Sequence, residues 1–367
     1  MKYLDEYRNG EIVKKIIERL YERVKGNYHI MEICGGQTHS LVKNGIIDLL
    51  PPTITMVHGP GCPVCVTPIS LIDQAIELAH TPGVVLFSFG DMIRVPGSEK
   101  SLLSAQSEGA SVKIVYSPLD AVKYARLNPD VEVVFFAVGF ETTAPANALS
   151  VLQAELLGVG NYSILASHVL VPPAMEAILN DEENKIDGFL AAGHVCTVMG
   201  TDEYEPLAKK YNVPIVVTGF EPVDLLKGIE QLVKQLEAKD PSVTNQYRRV
   251  VKPEGNVHAK SAISKVFEIS DREWRGIGVI PNSGYKIKNK YRWFDASIKF
   301  DFKKRATPPP TECRSGEVLK GKLKPIDCPL FEKVCKPENP LGAPMVSSEG
   351  ACAAYYHFAT LKYTSHA

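Results

Sequence analysis

Apolar residues in EIVKKIIERLYERV (11–24) recur every three or four positions, so Ile12, Val13, Ile16, Ile17, Leu20 and Val24 share one face. That spacing predicts an amphipathic helix. From residue 28 the pattern changes to short apolar runs. YHIMEI (28–33), TITMVH (53–58), GVVLFSF (83–89) and SVKIVY (111–116) start at intervals of roughly 25–30 residues. VEVVFFAV (131–138), YSILAS (162–167), IDGFLAA (186–192) and VPIVVT (213–218) continue the rhythm. Helical patterns lie between them, as in 68–79, where Ile69, Ile72, Ile76 and Ala79 line one side. Strands alternating with helices predict an α/β protein with parallel sheets covered by helices.

Two successive blocks of four strands suggest two similar parallel-sheet, Rossmann-like domains. The expected division is an N-terminal amphipathic helix (1–26), a first α/β domain (27–118), a second (119–240) and a small, irregular C-terminal domain organised by a metal (241–367). Gly139-Phe140-Glu141 and Gly219-Phe220-Glu221 echo one another across the chain. Beyond about residue 241 the βα rhythm stops. KKRATPPPT (303–311) reads as a basic, extended connector, because its prolines fix the backbone and remove donors. The tail after it is rich in Gly, Pro and Cys.

Composition narrows the class. The 367 residues carry 41 basic and 42 acidic side chains, and 45% are hydrophobic. That is an ordinary folded chain, without the basic footprint expected for nucleic acid or an anionic membrane. The longest apolar runs, such as 131–140, are about half the roughly 20 residues of a membrane span. The N-terminus is charged throughout and lacks a secretory apolar core. A cytoplasmic location is expected, and in a reducing compartment eight cysteines point to metal or redox chemistry rather than a disulfide framework.

Ligands of parallel sheets bind beyond the carboxyl ends of strands, and the unusual residues fall there. Strand 28–33 runs into Cys34-Gly35-Gly36-Gln37-Thr38-His39, and strand 53–58 into Gly59-Pro60-Gly61-Cys62-Pro63-Val64-Cys65. Strand 131–138 runs into Gly139-Phe140-Glu141-Thr142-Thr143, and strand 186–192 into Gly193-His194-Val195-Cys196. If both sheets point these ends into one cleft, three thiols, a carboxylate and an imidazole converge. Cys34 near a helix N-terminus gains thiolate character, the form that attacks or binds metal; a small buried turn residue is the alternative. Cys62 and Cys65 form a C-x-x-C at a strand-to-helix junction, favouring a redox dithiol over half a zinc site or a packed turn. Glu141 is as well explained by capping the helix near Thr142 as by catalysis. His168 and His194 are equally compatible with the core, and Cys196 reads first as a buried, inert thiol.

The tail reads Cys313-x14-Cys328-x6-Cys335-x16-Cys352. Four thiolates in a loop-rich segment suit structural zinc or an iron–sulfur cluster. Without the paired C-x-x-C knuckles of zinc ribbons, the spacing favours iron–sulfur.

Taken together and in this order, these motifs resemble the HypD family of [NiFe]-hydrogenase maturation factors, from about residue 28 to residue 357. Some members carry His where this chain has Gln37. The resemblance implies a scaffold on which an Fe(CN)2CO unit is built. Cys34 would then be an iron ligand, shared with the N-terminal cysteine of a small HypC-type chaperone. Cys62 and Cys65 would be a redox-active dithiol, and Cys313, Cys328, Cys335 and Cys352 would hold a [4Fe–4S] cluster. A HypE-type partner would bring cyanide as a thiocyanate on its own cysteine. The arrangement is also similar to ferredoxin–thioredoxin reductase. The alternatives are a freestanding iron–sulfur-dependent thiol–disulfide reductase and an adaptor with one zinc site.

Overall fold

Asn9 starts the first helix, Gly10–Arg23: its side chain accepts the amides of Glu11 at 2.9 Å and Ile12 at 3.2 Å. Such a cap satisfies donors that the first turn leaves unpaired. The predicted apolar face packs inward, with Ile16 and Leu20 sharing a core cluster with Ile30, Leu190, Val216 and Leu226. Arg19 and Arg23 both grip Glu230, at 2.8 and 2.9 Å. The N-terminal helix is therefore part of the first α/β layer rather than a separate appendage.

The computed structural model describes residues 5–302 and 312–359. All eight expected strands form: β1 (Tyr28–Glu32), β2 (Ile54–His58), β3 (Val84–Ser88), β4 (Val112–Ile114), β5 (Glu132–Gly139), β6 (Tyr162–His168), β7 (Gly188–Ala192) and β8 (Ile215–Thr218). A ninth, β9 (Val243–Asn245), follows, and then a two-stranded hairpin of β10 (Phe267–Trp274) and β11 (Gly278–Ile287). The α/β class with parallel sheets is as expected.

The grouping of the strands differs from two consecutive blocks. One sheet runs β2-β1-β7-β8-β9 and the other β4-β3-β5-β6, all parallel. The second sheet is thus inserted into the first, and neither the 118/119 nor the 240/241 division falls between the sheets. Apolar runs reveal that a strand is buried on both faces but not which strand lies beside it, since parallel neighbours are joined by crossovers of any length. β9 was missed because all three of its residues are only partly buried.

The hairpin belongs to the folded body as well. Trp274 is fully buried, donating from Nε1 to Ser283 Oγ at 2.9 Å, and the amide of Leu170 donates to the Ser283 carbonyl at 2.8 Å. The irregular C-terminal region begins after it. The connector 303–311 lies outside the described residues. Residues 312–359 hold the short helix Ser315–Leu319, several turns and the helix Ala351–Phe358. No helix among the described residues is long and apolar enough to cross a membrane.

Candidate functional site

The connection after β1 leads outward to β2 and the one after β7 leads the other way to β8, so the two strands flank a crevice at their carboxyl ends. Each strand runs directly into a helix, Gly35–Lys43 after β1 and Gly193–Met199 after β7. Cys34 caps the first, its carbonyl accepting the amides of Gln37 and Thr38 at 2.9 and 3.1 Å. His194 sits in the first turn of the second. Their side chains meet: Cys34 Sγ lies 3.8 Å from His194 Nδ1 and 3.9 Å from Nε2.

Burial pushes the Cys34 thiol far above its ordinary range, and the carboxylates of Glu349 and Glu32 add to the effect. Burial also lowers His194 to about 4. The unloaded pair is therefore a thiol beside a neutral imidazole, not a thiolate–imidazolium ion pair. The ring of Phe220 lies 5.1 Å from that of His194 and walls one side. Glu349, at the edge of the crevice, is exposed.

The C-x-x-C loop touches this turn through backbone. Gly35 N–H donates to the Gly61 carbonyl at 3.0 Å, and a Cβ on Gly61 would fall 2.3 Å from Cys34 N and Cα. Cys62 caps the short helix Pro63–Val66, its sulfur accepting the Cys65 amide at 3.2 Å, and the two cysteines are joined as a buried disulfide. On its other side the disulfide packs in a core cluster with Ala343 and Val346 of the C-terminal region. The carbonyl of Glu349 reaches back to Gly35, where an added Cβ would come within 2.1 Å of it.

Cys313, Cys328, Cys335 and Cys352 line one small cavity with Leu330, Phe331 and Met345. Burial raises the Cys352 thiol, and the charges of Cys313, Cys335 and Cys328 raise it further, so the four sulfurs act on one another. Amides of Leu341 and Gly342 are directed at Cys335. Gly342 is required for the approach of Cys313, since a Cβ there would lie 2.3 Å from its sulfur. Among the described residues, no three His, Cys, Asp or Glu side chains are drawn together as a single-ion site. Four soft donors around an apolar cavity, with backbone donors to sulfur, fit the needs of an iron–sulfur cluster.

The remaining sequence candidates fall elsewhere. Glu141 is fully buried, but it caps neither its own helix nor the Cys34 crevice; Oε1 accepts the Val171 amide at 2.9 Å, at the start of the helix Val171–Leu179. Its charge acts on Cys196 and Tyr204, and burial keeps Cys196 up at about 12. His168 is a core residue lowered to about 3 by burial, with Nε2 2.7 Å from Asn147 Nδ2. Gln37 donates to the Ala191 carbonyl at 3.2 Å, tying the Cys34 helix to β7. His39 Nδ1 lies 3.0 Å from the Ser348 carbonyl, on the C-terminal region.

Sequence reasoning missed Glu32, His58, Tyr355, Phe220 and Glu349. Glu32 is fully buried, with three donors around its carboxyl: the Cys34 amide at 2.9 Å, the Thr38 hydroxyl, and His58 Nδ1 at 2.7 Å. A signal was present, because the apolar run YHIMEI contains one carboxylate and the parallel run TITMVH ends in a histidine at the paired position.

Similarity to known proteins bears on this arrangement. The family HypD, described as "Hydrogenase formation hypA family", matches residues 11–359. The hydrogenase maturation factor HypD of Azotobacter vinelandii is 47% identical over 367 residues, covering 98% of this chain and 97% of the relative. HypD of Escherichia coli K12 is 47% identical over 366 residues, covering 98% of each, and HypD of Cupriavidus necator is 44% identical over 372 residues, covering 99% and 98%. With the motifs matched along almost its whole length, this chain belongs to the HypD family and has a role in hydrogenase maturation.

Proposed function

We propose that this protein is a cytoplasmic, redox-active scaffold on which the Fe(CN)2CO unit of a [NiFe]-hydrogenase is assembled. The observation that carries this reading is a sequence of contacts. Gly61 joins the Cys34 turn to the disulfide loop, and Ala343 and Val346 join that loop to the cysteine-rich region.

Cys34 takes the iron as cargo, in common with the N-terminal cysteine of a HypC-type partner. A thiolate is a soft donor suited to electron-rich iron bearing cyanide and CO. His194 and Phe220 shield one side of the sulfur, while the exposed Glu349 edge leaves room for the partner. Cys313, Cys328, Cys335 and Cys352 hold a [4Fe–4S] cluster, which when bound supplies single electrons. The Cys62–Cys65 disulfide takes up two electrons, supplied one at a time by an external one-electron donor, and two protons to become a dithiol. That dithiol then acts on the thiocyanate carried by a HypE-type partner. The sulfur–cyanide bond breaks, one proton leaves with cyanide and one with the partner's cysteine, and the disulfide re-forms with loss of two electrons.

The test uses the chain purified anaerobically with its small partner. Cys34→Ser should keep the cluster absorbance and the Cys62–Cys65 couple but lose the CN and CO infrared stretches, because serine is a hard, weakly acidic donor. Bands retained in an intact complex place the iron elsewhere. Undiminished turnover of small disulfides by Cys34→Ser, with no bands in the wild type, indicates the freestanding reductase.

A further inference from the structure

Registry of β1 with β2 sets Glu32 beside His58. The contact does not end there: the far ring nitrogen of His58, Nε2, lies 2.9 Å from the Tyr355 hydroxyl. The Tyr355 ring also stands edge-on to His58, with centroids 5.2 Å apart. An unbroken line of hydrogen bonds thus runs from the Cys34 amide through Glu32 and His58 to Tyr355. Tyr355 lies in the helix Ala351–Phe358, three positions after Cys352.

All three side chains are buried, at 0%, 3% and 7% exposure. A carboxyl and an imidazole removed from water are costly unless every polar atom is paired, and an apolar pair would fill the same space more cheaply. Here the polar atoms are paired across three separate elements, which fixes them relative to one another more strictly than apolar contact does. Glu32 Oε2 accepts the amide of Cys34 itself. The orientation of Glu32 thereby sets the strand-to-helix turn that presents the thiol.

We propose that His58 and Tyr355 are positioning residues for Cys34, coupling the placement of the Cys352 helix to the exposure of the Cys34 thiol. The proposal rests on the reading of Cys34 as the cargo-binding thiol and of Cys352 as a cluster ligand. Coupling of this kind is reciprocal. Whatever anchors the Cys352 helix holds Cys34 closed against solvent, and whatever loosens that helix releases the turn.

The test is alkylation of the full chain by iodoacetamide under anaerobic conditions, followed peptide by peptide by mass spectrometry, with Cys62 and Cys65 kept as the disulfide. Cys34 is 3% exposed, so its rate reports local opening. Tyr355→Phe keeps the ring and deletes one hydroxyl. The expected result is a rise of about tenfold in the Cys34 rate, the order set by one buried hydrogen bond. Cys196, fully buried in the same core cluster but held by Tyr204 rather than by the Glu32–His58–Tyr355 line, is the internal control. Its rate should not change, because the effect is local. Equal acceleration of both thiols, or no acceleration of Cys34, overturns the proposal. His58→Gln, which cannot span Glu32 and Tyr355 together, should reproduce the Cys34-specific rise even if Tyr355→Phe folds poorly. Iron and sulfide measured on the same samples report separately on the cluster reading, whereas the Cys34 to Cys196 ratio decides the coupling.

Discussion

Cys34 and His194 stand 3.8 Å apart although 160 positions separate them, with an entire second sheet inserted between. The encounter follows from pairing of β1 with β7, in which Met31 lies opposite Phe189 and Glu32 opposite Leu190. Strand ends that are neighbours in a sheet deliver their following residues to the same crevice. Under the proposed function, His194→Ala should leave the disulfide and the tail cluster intact while weakening cargo iron by about 10–100-fold, as loss of a ligand's neighbour commonly does. The ratio of CN-band intensity to cluster absorbance measures it, and an unchanged ratio would reduce His194 to a wall of the crevice.

Gly61→Ala should strike the junction between Cys34 and the disulfide. The new Cβ would lie 2.3 Å from backbone atoms of Cys34, which cannot rotate aside. Overpacking of this kind costs about 1–3 kcal/mol or more. Gly160→Ala is the comparison, since nothing lies within 4 Å of its added Cβ. Urea midpoints should fall for the first and stay within error for the second.

These two glycines show what the sequence conveys. Both sit in loops and read alike; only packing separates them. The eight main strands were legible because burial on both faces leaves continuous apolar runs, but the order β2-β1-β7-β8-β9 was not, because pairing is settled by contacts far apart in sequence. Cys34, Cys62 and Cys65 were legible as strand-end residues beside glycine. Glu141 was placed correctly after a strand, yet the helix it caps is the one beginning at Val171 rather than its own. Glu32 and His58 looked like the polar ends of strands; their meaning appears only when Tyr355 arrives from the other end of the chain.

The disulfide offers a direct redox measurement. Cys62 and Cys65 are buried and joined, so alkylation of the oxidised, native protein should miss both. After a thiol reductant, both should be labelled, with a mass increase of two adducts on the peptide. Two thiols that stay unreactive after reduction, while bound to zinc, would replace the redox role with a structural one.

Gly342→Ala tests the four-cysteine cavity without touching a cysteine. Its Cβ would collide with the Cys313 sulfur at 2.3 Å and drive that side chain away from the cavity it shares with Cys328, Cys335 and Cys352. Iron and acid-labile sulfide per chain should fall sharply, whereas the far-ultraviolet circular dichroism of the two parallel sheets should persist. Cys335→Ala should give the same loss. Full cluster occupancy in both variants would remove these residues from the ligand set.

Glu141 makes a pH-dependent contribution whose direction follows from its surroundings. Burial is the dominant influence and raises its pKa from 4.5 to about 8, although the amides of its own residue and of Val171 pull the other way. Between those values the folded protein holds a proton that the unfolded chain has released. Unfolding then liberates a proton, so higher pH favours the unfolded state. The contribution is fully present below about 4.5 and is lost as pH rises through 8, at up to about 1.4 kcal/mol per pH unit within the window. Glu141→Gln keeps a carbonyl for the Val171 amide and cannot ionise. Its stability relative to wild type should therefore be near constant at low pH and climb steadily from pH 5 to pH 8. Urea midpoints at three pH values across that range decide the matter. Parallel curves for the two proteins would mean that Glu141 is already ionised in the fold.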